Sequence, residues 1–290
     1  MGRRSVSSIH TTLVIATQAL ANSPTARLDA EVLLAQVLGI PRSAVLARGT
    51  DPLPPDARRA FERLVARRAA GEPVAYLTGR AWFYGLELVV TPDVLIPRPE
   101  TEGLAEWAIG RPRTGRGRQA ILDVGTGSGA LALALAAHLA GPEINIHATE
   151  ISAAAIRVAR GNAARLGLAD RITWHRADLV PVSIAVPPAF DLVVANLPYV
   201  ATGELANVAP DVLLWEPHLA LLAGPDGLAL IRRLLAVLPA RLNPGAAAAI
   251  EIGWRQGPAA IALARDAFPD AQVSLRQDLA GLDRLVIIET

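Results

Sequence analysis

Ala120-Ile121-Leu122-Asp123-Val124-Gly125-Thr126-Gly127-Ser128-Gly129-Ala130 is the stretch that decides the fold. An apolar run of strand length meets three alternating glycines, and the chain then continues without a polar residue from Ala130 to Ala137. That order reads as a buried strand, a tight turn and a helix. The glycines let the backbone turn sharply and approach a ligand closely. In open α/β sheets, ligands bind beyond the carboxyl ends of the strands. A dinucleotide fingerprint is Gly-x-Gly-x-x-Gly, whereas this run is Gly-x-Gly-x-Gly, with Ala130 where a third glycine is replaceable. A nucleophile elbow requires glycine two residues before Ser128, and Thr126 stands there.

Downstream of this run, strands alternate with helices. Strands are expected at 144–149, 172–177, 191–195 and 247–252, and helices at 153–166, 228–238 and 258–268. Two more strands close the chain, 272–276 and 284–288. The link around Gly281-Leu282-Asp283 is too short for a helical crossover, so these two are antiparallel neighbours. The pattern predicts an α/β fold: a doubly wound, mostly parallel seven-stranded sheet with an antiparallel terminal pair. This is the layout of class I methyltransferases.

Upstream, residues 1–80 carry helical spacing only. Leu28, Val32, Leu33 and Leu38 form one apolar face that Gly39 ends, and Phe61, Leu64, Val65 and Arg68 form another that Gly71 ends. Trp82-Phe83-Tyr84-Gly85 and the β-branched run to Val90 read as a hairpin. Arg111 to Arg118 reads as a basic, glycine-rich solvated connection. Arg3 and Arg4 followed by Leu13-Val14-Ile15-Ala16 imitate a leader peptide, but Thr11, Thr12 and Gln18 dilute it, and a first amphipathic helix is expected instead.

Composition removes whole classes of chemistry. The 290 residues are 52% hydrophobic with net charge +1, which excludes disorder for most of the chain and gives no global nucleic-acid footprint. All 28 basic residues are arginine, so P-loop, Schiff-base and kinase lysines are ruled out. There is no cysteine, hence no disulfide, thiolate ligand or cysteine nucleophile, which suits a reducing compartment. His10, His138, His147, His175 and His218 show no ligand spacing, and no metal site is expected. The longest strongly apolar run, which His138 ends, falls well short of the ~18 residues a membrane span needs.

Successive strand ends carry groups suited to a ligand. Glu150 lies 25 positions after Gly125, where a carboxylate accepts hydrogen bonds from ribose hydroxyls. Asp178 is placed to reach an adenine amine. The fourth strand delivers Asn196-Leu197-Pro198-Tyr199. A carboxamide at a buried strand end is costly unless hydrogen-bonded. It reads as a cradle for a planar NH2 group: the Asn196 side-chain oxygen takes one N–H, the Leu197 carbonyl the other, and Tyr199 packs flat on the amide or base.

At these residues the chain resembles the HemK/PrmC family, the glutamine N5-methyltransferases of peptide chain release factors. The resemblance runs over nearly the whole sequence. Gly71-Glu72-Pro73-Val74-Ala75-Tyr76-Leu77-Thr78-Gly79, Trp82 to Gly85, the distinctive Ile96-Pro97-Arg98-Pro99-Glu100-Thr101-Glu102, Asp123 to Gly129, and Glu251-Ile252-Gly253 with Gln256 all match family elements. It departs at Leu197, where the family usually has Asn-Pro-Pro-Tyr. The backbone carbonyl survives that change, while proline's fixed φ is lost and an N–H appears.

The resemblance implies S-adenosyl-L-methionine as cofactor, S-adenosyl-L-homocysteine as product, and no metal. Cofactor contacts would be Asp123, Gly125, Thr126, Gly127, Ser128, Gly129, Glu150, Asp178, Leu179 and Asn196. Asn196, Pro198 and Tyr199 would be catalytic. Asn196, Leu197, Pro198 and Tyr199 would hold the glutamine amide, with Arg98 and Glu100 at the entrance. Catalysis would be mostly positioning, because the sulfonium is already activated. The domains implied are a helical substrate-docking unit at 1–80, a hairpin linker at 81–95 and a catalytic domain at 96–290. The partner would be a class-1 release factor, methylated in its Gly-Gly-Gln loop, in the cytoplasm, with no membrane and no direct nucleic-acid binding.

Three other readings share parts of the pattern. Glutamine methylation of a large-subunit ribosomal protein needs nearly the same residues; the compact first domain and the Ile96–Glu102 signature favour the release factor. Adenine N6 methylation also uses Asn-x-Pro-Tyr, against which stands the near-zero charge. A dehydrogenase or non-catalytic nucleotide module is opposed by the glycine spacing and by the Asn196 to Tyr199 motif.

Overall fold

The computed structural model describes residues 7–111, 119–139, 141, 143–180 and 189–290. The basic connection from Arg111 to Arg118 lies outside these residues except for Arg111, as do Arg3 and Arg4. In chain order the elements are α1 (Ile9–Ala19), α2 (Ala26–Leu38), α3 (Arg42–Ala47), α4 (Pro55–Ala69), α5 (Val74–Thr78), β1 (Arg80–Phe83), β2 (Leu86–Val89), α6 (Glu102–Gly110), β3 (Gln119–Val124), α7 (Ala130–His138), β4 (Ile144–Glu150), α8 (Ala153–Arg165), β5 (Ile172–Arg176), β6 (Phe190–Ala195), α9 (Pro210–Trp215), α10 (Ala229–Val237), β7 (Leu242–Glu251), α11 (Gly257–Ala267), β8 (Gln272–Gln277) and β9 (Asp283–Glu289).

The chain divides into two compact units. One is residues 1–80 together with 209–215, and the other is 81–208 together with 216–290. In the first, Leu13, Leu33, Leu34, Val45, Leu53 and Phe61 form a core inside the helices. Its polar residues are paired: buried Asp29 accepts from Ser23, Thr25 and Arg68, and buried Glu31 from Arg27 and Arg42. The Arg42 and Arg27 guanidiniums hold the Glu31 carboxyl below its usual range, against the opposing effect of burial. Segment 209–215, which the sequence alone left in the second domain, groups with this unit, and a side chain begun at Gly71 would stand 3.7 Å from Trp215 Nε1.

In the second unit, β1 and β2 form a two-stranded sheet joined by Tyr84-Gly85, both in the left-handed region that a tight hairpin turn requires. The main sheet runs β5-β4-β3-β6-β7-β9-β8, parallel except for β9, which is antiparallel to both neighbours. Strands β3 and β6 are buried along nearly their whole length, as strands covered on both faces must be. Helix α7 is apolar all round because it lies inside this layer. From β3 the chain winds outward to β4 and β5, then restarts at β6 and winds the other way to β7. The order reverses between β3 and β6, so a crevice opens beyond their carboxyl ends. Gly125 begins the turn after β3, and Asn196 follows β6.

Candidate active site

The glycine turn is held from beneath. Gly125 N and Thr126 N donate to the Thr149 carbonyl at 2.9 and 3.0 Å. Asp123 is fully buried, and its Oδ2 accepts from Thr126 Oγ1 at 2.6 Å and from Ala132 N at 3.1 Å. Gly125, Gly127 and Gly129 all have left-handed φ, at 75°, 55° and 86°. Their surroundings differ. A Cβ at Gly125 would strike the Leu197 side chain, and one at Gly129 would crowd Leu133, Ala159 and Trp174. A Cβ at Gly127 would meet nothing within 4 Å, because this glycine faces the cavity. Glu150 closes the turn, Oε2 accepting from Gly127 N at 3.0 Å and Oε1 from Ser152 N at 2.9 Å. A carboxylate has about four lone-pair sites, so Glu150 keeps capacity for a diol.

A cavity of about 320 Å³ occupies the crevice. Of the residues expected from sequence, Asp123, Gly125, Thr126, Gly127, Ser128, Glu150, Asp178, Leu179, Asn196, Leu197, Pro198 and Arg98 line it. Gly129 and Tyr199 are not among its lining residues, and Glu100 lines a separate hollow with Glu102, Glu106 and Arg284. Asp178 is half-exposed and paired with Arg233, whose Nη2 lies 2.7 Å from Oδ2. Leu179 adopts φ 58°, a conformation that non-glycine residues rarely hold and that clusters at ligand sites. Arg98 donates to buried Glu216 at 2.5 Å, and Ile96 N donates to the same carboxylate.

The Asn196 side chain is fixed. Its Nδ2 donates to Thr101 Oγ1 at 2.8 Å. Gln256 braces the next turn, donating from Nε2 to the Tyr199 carbonyl at 2.9 Å and accepting from Gly253 N. Burial pushes the Tyr199 phenol up to about 12, with Glu251 adding to the effect. The ring is therefore a protonated packing surface at neutral pH and no base.

Several contributors were not foreseen. Buried Asn162 joins the hairpin to the glycine turn, bonding both Val89 N and Val89 O and donating to Ser128 O. The signal was available: Asn162 is the polar member of α8's otherwise apolar stripe of Ala155, Ile156, Ala159 and Ala163. Parallel pairing of β4 and β5 also brings His147 and His175 together, with Nδ1 and Nε2 3.1 Å apart, although nothing in their sequence spacing links them. Burial lowers the pKa of both, and the pair shares a hydrogen bond as neutral rings. Among the described residues, no three His, Cys, Asp or Glu side chains group as metal ligands.

Two buried carboxyls give the fold a pH signature. Burial pushes Asp123 and Glu251 up to about 7 from ordinary values of 3.8 and 4.5. Between those values the unfolded chain has released protons that the folded chain still holds. The contribution of both groups to stability is therefore complete at low pH and is lost as pH rises through about 7. Glu251→Gln, which cannot titrate, is expected to flatten part of the fall in unfolding free energy between pH 4.5 and about pH 7, measured by urea denaturation of the ligand-free protein.

This sheet order, with a glycine turn, a strand-end acid and a strand-end asparagine around one crevice, defines a class I methyltransferase. The chain resembles a solved methyltransferase from Pyrococcus furiosus, with TM-score 0.51 and 18% identity over 79% of this chain and 98% of that one, a likeness of fold alone. Family models match twice, the PrmC N-terminal domain over residues 12–79 and a methyltransferase domain over 121–213. The release factor glutamine methyltransferase of Cereibacter sphaeroides is 44% identical over 89% of each chain. That of Bordetella pertussis is 44% identical over 92% of this chain and 96% of its own. The chain belongs to the release factor glutamine methyltransferase family.

Proposed function

We propose that the protein transfers a methyl group from S-adenosyl-L-methionine to the side-chain amide nitrogen of the glutamine in the Gly-Gly-Gln loop of class-1 release factors. The observation that carries this reading is the Asn196–Tyr199 turn, held by Thr101 and Gln256 on the same cavity as the glycine turn. The cavity suits the cofactor: Gly127 leaves open space, Glu150 offers spare lone pairs to a ribose diol, and Asp178 offers a carboxylate to an amine. When bound, the cofactor supplies an electrophilic methyl on a sulfonium.

The protein's own residues then hold the glutamine amide. The Asn196 carbonyl oxygen and the Leu197 backbone carbonyl each accept one of its hydrogens, and Pro198, which lines the cavity beside them, limits its tilt. Held there, the amide nitrogen would receive the methyl with S-adenosyl-L-homocysteine as leaving group, and would release its proton to water afterwards. No base is needed, and Tyr199, which stays protonated, does not act as one. Arg98, clamped by Glu216, borders the approach to the cavity. The helical unit at 1–80 is the docking part for the release factor. A chain without cysteine suits the reducing cytoplasm, where translation terminates.

The test is methyl transfer from labelled cofactor to purified release factor and, in parallel, to ribosomes and to nucleic acid, with peptide mapping. Label on the glutamine of the release factor is expected. Label only on a ribosomal protein, or only on adenine, would overturn the assignment.

A further inference from the structure

Two consecutive arginines on α10 are used differently. Arg232 bonds Asp226, whose other oxygen accepts from Leu228 N, so that pairing stays within one helix end. Arg233 reaches a partner 55 positions away, Asp178 in the loop that follows β5. Both members of this second pair are about half-exposed, and an ion pair so open to solvent contributes little to folding. Its place in the molecule is more telling. Asp178 and Arg233 both line the cavity, as does Leu230, one helical turn before Arg233 on the same side of α10. Ile231, Leu234 and Leu235 are buried in the core of this layer, so the helix that carries Arg233 is anchored beside the cavity. The contact is one-sided. Arg233 Nη2 donates to Asp178 Oδ2 at 2.7 Å, while Oδ1 receives no hydrogen bond from the described residues. With its charge matched by a guanidinium, the carboxylate suits a neutral base better than a cation.

We propose that Arg233 sets the Asp178 carboxylate for the adenine of the cofactor, holding Oδ2 and leaving Oδ1 to accept from the exocyclic amine. Without Arg233, Asp178 is a half-exposed side chain free to turn into water, and binding has to order it. With Arg233, that ordering is complete before the ligand arrives, and affinity gains by the difference. Arg233 is thus a positioning residue that acts on the cofactor through Asp178. Lysine is an incomplete substitute, because its ammonium is a strongly hydrated point charge on a flexible stem, whereas the guanidinium is a preorganised planar fork. The inference deepens the reading of the cavity as a methyl-donor site and rests on it.

The experiment is calorimetric titration of the full chain with S-adenosyl-L-homocysteine and with its analogue carrying unsubstituted purine in place of adenine, alongside the Tm of each ligand-free protein. Arg233→Met keeps an aliphatic stem and loses the charge. It is expected to weaken the adenosyl ligand about three- to tenfold, the ordering cost of one side chain, and to move Tm by less than about 2 °C. The purine analogue, with no amine for Asp178, binds the parent more weakly and loses nothing further in Arg233→Met. A merely structural role would instead lower Tm and leave the preference for adenine over purine unchanged. Arg233→Lys recovers part of the adenosyl affinity. In an Asp178→Ala background, Arg233→Met has no further effect. Parent-like affinity for the adenosyl ligand in Arg233→Met, or an equal loss for both ligands, overturns the role of Arg233 alone. Failure of the parent to bind S-adenosyl-L-homocysteine overturns the cofactor reading beneath it.

Discussion

Asn196→Ala is expected to lower turnover by ~10²-fold or more while affinity for S-adenosylmethionine falls much less. The substitution removes a side chain that lines the cavity and is held there by Thr101, which lines it too. With the carboxamide gone, the substrate amide keeps only a backbone carbonyl as partner, and its nitrogen is free to swing away from the methyl group. The loss is one of alignment, so it falls on kcat rather than on KM. Single-turnover rates with preloaded cofactor measure it directly. A rate within about threefold of the parent would make Asn196 a turn residue only.

Gly127→Val is expected to abolish cofactor binding in a protein that still folds. Two observations combine. Gly127 has φ 55°, which a β-branched residue adopts only with strain, and the space beside it is open only because it is the cavity. The new side chain would therefore stand where the ligand runs, and the turn would relax away from Glu150, breaking the bond from Gly127 N. Calorimetric titration of the folded variant checks this, and unchanged affinity overturns it.

The regular part of the fold was readable because its periodicity is strong. The seven strands of the main sheet follow the apolar runs, and the short link before Asp283 marked the antiparallel pair. Strand β7 begins at Leu242, five residues before the expected 247, because Asn243-Pro244-Gly245 reads locally as a turn; pairing with β6 overrides that, with a register shift between Phe190 and Leu192. Helix α6 was hidden by Pro97, Pro99 and Gly103 around its start. Within the site, the glycine turn and Asn196 stood out because such residues at strand ends are locally unusual. Asn162 and Thr101 did not, since each bonds a partner far away in sequence. The Asn196–Thr101 bond spans 95 positions, and no local pattern encodes it.

The discontinuity of the helical unit has a consequence for heredity. Its first eighty residues are not the whole of it, since seven more arrive from beyond the Asn196–Tyr199 turn. A recombination event that moved only the leading gene segment onto another methyltransferase would deliver an incomplete unit, with Gly71 lacking its Trp215 neighbour. The two stretches therefore have to travel together for the unit to be whole. The helical unit is thereby tied, through seven residues, to the same stretch of chain as the Asn196–Tyr199 turn.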